Sequence, residues 1–219
     1  MNAKKNKKSR RVSKILEHLE GTLIADLRSL KVCASTPREQ NSGLGALNYT
    51  LFLVGLIGCE TLGRYVCGAD LDLDKKARNR TPDVGGYINR FIEQYFPNRD
   101  QYKLISKILS DYLRHILVHG FAPRKDGYPF DLHLVISKQG KDLPPLALEK
   151  HNRLVIKLDG ISFINKILKA FEKIKSESLT NTQLASKIIA AEDYCKNLSP
   201  PKEVTNQFIA SYPKLKKSS

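Results

Sequence analysis

The chain has 219 residues, 41% of them hydrophobic, and a formal charge of +15. That length suits one domain with appendages, and that apolar content excludes a disordered chain and permits a core without disulfides. The four cysteines, Cys33, Cys59, Cys67 and Cys195, have no CxxC spacing, so they read as reduced thiols and not as a disulfide or zinc framework.

The charge is concentrated at the ends. Residues 1–14 carry seven Lys/Arg, including Lys4, Lys5, Lys7, Lys8, Arg10 and Arg11, and residues 214–219 carry three Lys; neither stretch has an acid. Removing these ten from +15 leaves about +5 for the body between them. Residues 1–9 are therefore expected to form a flexible basic arm and residues 199–219 a basic tail, flanking a domain over 10–198. Such arms bind polyanions, nucleic acid above all; a solubilising role is the plainer alternative. The N-terminus has no hydrophobic signal core. The longest apolar run, 51–59, is far short of the ~20 residues a bilayer requires. A cytoplasmic protein without a membrane partner is expected.

Within the domain, Val12, Ile15, Leu16, Leu19, Leu23, Leu27 and Leu30 recur at helical spacing, with Gly21 a weak point in that helix. A polar connector from Ser35 leads into residues 46–67, which are apolar nearly all round and predict a central helix buried by its neighbours. Gly55, Gly58 and Gly63 would let other helices approach it closely. Glu60 and Arg64 lie four apart, so they either pair on one helix face or line the same cleft as Arg114. The charged stretch from Asp70 has an Asp-x-Asp-x-Asp pattern, but Lys75 and Thr81 stand where a calcium loop needs Gly and Glu. Residues 85–96 predict a short helix ended by Pro97.

Residues 100–121 predict the organising helix. Tyr102, Ile105, Ile108, Leu109, Tyr112, Leu113 and Ile116 form its apolar face; Asn98 or Asp100 starts it and Gly120 stops it. The period then changes to two. Phe130, Leu132, Leu134 and Ile136 alternate with polar neighbours, as do Leu154, Ile156 and Leu158, predicting a small two-stranded hairpin-like unit over about 129–158 with a turn-rich linker inside it. Asp159 or Ser162 caps a helix over about 161–175, and a last helix covers about 181–197. The expected fold is mainly α: a bundle of five or six helices with a two-stranded β appendage.

Chemistry points to the end of the organising helix. Arg114 offers a fork of N–H donors suited to phosphate oxygens. His119 has an unperturbed pKa near 6.5 and can move protons at neutral pH. RNA cleavage through the ribose 2′-OH needs a base, an acid and a cation for the charge on the phosphorane-like transition state, and no metal or other cofactor. On an ideal helix, residues five apart diverge by about 140°. The two groups therefore converge only if the helix ends near His119 or if two copies pool their pairs across a dimer. His115, Glu60 and Asp111 are candidate supporting groups. The plainer alternative pairs Arg114 with Asp111 and lets His119 cap the helix C-terminus. No zinc spacing, P-loop or nucleophile elbow appears. Tyr87, Tyr95, Tyr102 and Tyr112 sit at helical core positions.

The run DYLRHILVHGF resembles the Arg-x4-His signature of the HEPN superfamily, and GCETLGRY and FIEQYFP upstream are similar to that superfamily's bacterial members. The resemblance covers roughly residues 44–125. It implies a helical, usually dimeric, metal-independent endoribonuclease of defence, toxin–antitoxin or RNA-processing systems. RNA, a second copy and an antitoxin or other regulatory protein would be its partners, with Arg114 and His119 as the catalytic pair. Superfamily toxins controlled by a nucleotidyltransferase often carry Tyr two residues after the His. Phe121 stands there and lacks the hydroxyl to be modified.

Overall fold

A computed structural model describes residues 2–35, 45–68, 84–97, 100–114, 117, 130–136, 146–150 and 153–196. Among these are seven α-helices, two π turns and three strands: α1 (Asn2–Leu19), a π turn (Glu20–Ile24), α2 (Ala25–Ser35), α3 (Gly45–Cys67), α4 (Val84–Tyr95), α5 (Gln101–Leu104), a second π turn (Ile108–Leu113), β1 (Phe130–Val135), β2 (Leu146–Lys150), β3 (Arg153–Asp159), α6 (Gly160–Thr180) and α7 (Thr182–Lys196). The protein is a mainly helical bundle with a small sheet.

The central helix is α3, which packs against α2, α4, α6 and α7. Its apolar all-round sequence is the reason: Leu51, Phe52, Leu56, Cys59, Leu62 and Val66 are all buried, toward different neighbours. The stretch Leu47–Cys67 is the one described helix long and apolar enough to cross a membrane, and 61% of its 18-residue apolar window is buried inside the protein. Gly63 sits against α4, where an added Cβ would lie 2.4 Å from the carbonyl oxygen of Tyr87. Gly68 ends α3 with φ +69° and donates its N–H to the Arg64 carbonyl, the left-handed C-terminal stop that glycine adopts without strain.

The N-terminal basic stretch is not a flexible arm over its described part: residues 2–9 are the first turns of α1. Lys8 donates to the Thr182 carbonyl, and Arg11 pairs with Asp193, so both cations tie α1 to α7. Helix then runs from 2 to 35, and Gly21, the expected weak point, falls in its π turn. A π turn holds one more residue than an α turn. It brings Leu19 and Ile24, five apart, onto the same buried face, so Val12, Ile15 and Leu16 before it and Leu27 after it share one core.

The segment 100–117 departs from the single regular helix expected. Asp100 does cap it, its carboxylate accepting from Tyr102 N–H at 2.9 Å. The helix breaks at Ile105 and widens into the π turn before Arg114. The inward set is Tyr102, Ser106, Leu109, Ser110, Leu113 and Leu117, while Leu104 is 84% exposed. Asp100, itself buried, also pairs with Lys166 of α6 at 2.6 Å, and the Tyr102 hydroxyl donates to the Asp159 carbonyl. Tyr87, Tyr95 and Tyr102 are core residues.

The β unit also differs from the expected hairpin. The two strands read from alternation do pair, but in parallel, Phe130 opposite Leu154 through Val135 opposite Asp159. A third strand, β2, lies in the stretch expected to be a turn-rich linker and forms the antiparallel edge, giving the order β1-β3-β2. The hairpin is thus β2–β3. Asn48 of α3 donates to the Leu134 carbonyl at 3.0 Å and fastens the sheet to the bundle. Asp159 ends β3 and caps α6, accepting from Ser162 N–H at 2.7 Å. The charged stretch from Asp70, His115, His119, Phe121 and the tail 199–219 lie outside the described residues.

Candidate functional site

The candidate site is assembled by α3 and the segment that starts at Asp100. Glu60 lies in the C-terminal half of α3, and Arg64 stands one turn beyond it. Arg114 comes directly after the π turn Ile108–Leu113. An extra residue in a turn rotates the rest of a helix by about 100° relative to an unbroken one. Leu109, Leu113 and Leu117 remain buried across this stretch, while Arg114 reaches α3.

Glu60 bridges two guanidiniums. Arg64 Nη2 donates to its Oε1 at 3.1 Å and Arg114 Nη2 to its Oε2 at 3.3 Å. The expected Glu60–Arg64 pair along α3 is present, and Glu60 also meets Arg114. Side-chain exposure rises outward through the cluster, from 18% at Glu60 to 22% at Arg64 and 34% at Arg114. Arg64 also lies 5.0 Å above the centre of the Tyr87 ring on α4, a cation–π contact that fixes its second side. Three elements thus hold one cluster: α3, α4 and the segment carrying Arg114. An isolated exposed ion pair contributes ~0–1 kcal/mol. This arrangement is half-buried and three-membered, and without Glu60 its two cations would face each other.

Asp111, the expected partner of Arg114, accepts instead from its neighbour Ser110 at 2.6 Å and is exposed. Ser110 is buried and lies within the π turn. Of the basic N-terminal residues, Lys7 and Arg10 are exposed, whereas Lys8 and Arg11 are drawn to α7. They lie on α1, outside the Glu60 cluster. His133 is exposed, as its strand position implied.

The described residues contain no group of three or more His, Cys, Asp or Glu arranged to hold a metal ion. The thiol of Cys59, beside Glu60 in the chain, is fully buried, and burial pushes its pKa well up, so it supplies no thiolate. Burial also raises Cys195, with Arg64 opposing and Glu192 adding to the shift. A groove of about 340 Å3 lies elsewhere, between α1 and α6, and contains none of the candidate site residues.

Sequence reasoning offers one cleft shared by Glu60, Arg64 and Arg114 only as the alternative to a Glu60–Arg64 pair along the helix. The signal available is the Glu60/Arg64 spacing; the stacking of Arg64 on Tyr87 has none. No family model, curated protein or solved structure matches this chain.

Proposed function

We propose that this protein is a metal-independent endoribonuclease of HEPN type. Arg114 binds the scissile phosphate and stabilises its developing charge. His119 serves as acid or base toward the 2′-OH and the leaving oxygen. Glu60 orients Arg114 from α3, and His115 is a supporting group next to Arg114 in the chain. The observation that carries this reading is the position of Arg114: part-exposed, anchored by Glu60, five residues before His119. A guanidinium fixed from behind and open in front suits phosphate binding. Two copies would complete the site, and exposed apolar side chains on its two elements, Leu104 beside the segment's start and Ile57 on α3, fit a shared seam.

The test is incubation with single-stranded RNA in EDTA. Fragments ending in 2′,3′-cyclic phosphate are expected, because 2′-OH attack leaves that end. Intact RNA, or products with simple 3′-hydroxyl ends, contradicts the mechanism. A second reading draws on Lys7, Arg10 and Lys14, which are exposed at three-to-four spacing on α1. It makes the protein a non-catalytic RNA-binding or assembly module. That reading expects salt-sensitive RNA binding lost on substitution of these three, with no cleavage.

A further inference from the structure

Resting on the phosphate-directed reading of Arg114, we infer that Arg64 is a second phosphate-binding residue, and that Arg64 and Arg114 together grip one phosphodiester monoanion. Glu60 places a separate guanidinium on each of its two oxygens. A phosphodiester presents two non-bridging oxygens at a separation close to that of a carboxylate pair. The geometry that lets Glu60 bridge two guanidiniums from the protein side lets a phosphodiester bridge them from the solvent side. Each guanidinium has five N–H donors, and the contact with Glu60 uses Nη2 of each.

The charge also fits. Two guanidiniums and one carboxylate leave one formal positive charge, which a phosphodiester, carrying one negative charge, neutralises. A dianionic terminal phosphate would be left half-compensated. Arg64 is held between its cation–π contact with Tyr87 and its bond to Glu60, so little rotamer freedom is lost when the anion arrives. Glu60 is then a positioning residue for both arginines, and the substrate class is an internal phosphodiester linkage, not a chain end.

The probe is a short single-stranded oligonucleotide with 2′-O-methyl sugars, which 2′-OH chemistry cannot cleave, with binding followed against salt. Arg64→Ala should weaken binding about tenfold and lower the salt slope by about one. Arg64→Lys, which keeps the charge but not the fork, should fall between and serves if the alanine variant unfolds. Arg28→Ala, a surface arginine paired with Glu20 and Glu172, should bind as wild type does. An Arg64→Ala or Arg64→Lys protein with wild-type affinity and slope overturns the inference, as does a wild-type protein that does not bind the probe. If Arg64→Ala loses binding while wild-type protein fails to cleave RNA, the nuclease reading falls and the two-arginine grip stands.

Discussion

Two helical regions begin alike and end differently. Both α6 and the segment from Asp100 start at a buried aspartate that accepts from a backbone N–H of the first turn. Beyond its cap α6 runs without interruption for 21 residues, burying Ile161, Ile164, Ile167, Phe171 and Ile174 at ideal spacing. The other segment breaks at Ile105, widens into a π turn, and buries Ser106 and Ser110 while exposing Leu104. Regular periodicity marks the element that builds the core. The irregular one presents Arg114 to Glu60. A π turn costs hydrogen-bond geometry, and such turns persist where the surrounding packing fixes them.

Breaking the two caps should separate the regions most. Asp100→Ala removes a cap and also leaves the mostly buried Lys166 ammonium without its carboxylate, so urea unfolding should show a loss of about 3–5 kcal/mol. Asp159→Ala removes the cap of α6, a loss of about 1–2 kcal/mol for the cap itself. Equal losses would mean that the Lys166 pair contributes nothing. The inward face can be tested next. Ser106 is 4% exposed, and Ser106→Leu should cost about 1–3 kcal/mol by overpacking. Leu104→Ser should change stability by less than about 0.5 kcal/mol. The reverse order would mean that Leu104 and not Ser106 faces the core.

The smallest effect is electrostatic and belongs to the regular region. The Lys175 hydrogen bond holds the Glu20 carboxyl below its ordinary 4.5, against the opposing effect of burial, and Glu20 in turn raises Lys175 above 10.5. A carboxylate with a depressed folded pKa contributes stability that is complete above 4.5 and lost as pH falls through the folded value. The raised ammonium contributes below 10.5 and loses its contribution as pH rises through its folded value. Both groups face solvent, so the change is small. Glu20→Gln should flatten the acid limb of a stability–pH curve, and an unchanged limb would refute the pairing.

Much of this is legible in the sequence. The all-round apolar run marks α3, Asp159 marks the start of α6, and Pro97 marks the end of α4, because each acts through local chemistry. The basic N-terminus reads wrongly as an arm because charge alone does not reveal partners. Lys8 and Arg11 find theirs on α7, more than 170 residues away. The strand Leu146–Lys150 escapes a reading by pattern because a hairpin edge needs a neighbour more than a pattern; its flanking prolines and Gly140 argue for turns. The Asp100 segment reads as a regular helix because serine scores as polar, yet Ser110 satisfies its hydroxyl on the Lys107 carbonyl and the Asp111 carboxylate, within its own turn. At the site, one carboxylate and one arginine are visible four residues apart. A cleft shared with Arg114 is only the alternative to that pairing in the sequence; the Glu60–Arg114 contact, across 54 residues, appears in the fold.

The most direct test of the central claim is single-turnover RNA cleavage in EDTA by wild type, Arg114→Ala and His119→Ala, each first shown to be folded. The account predicts metal-independent cleavage by wild type and a fall of about a hundredfold or more in each variant. Cleavage by either variant at the wild-type rate would contradict it.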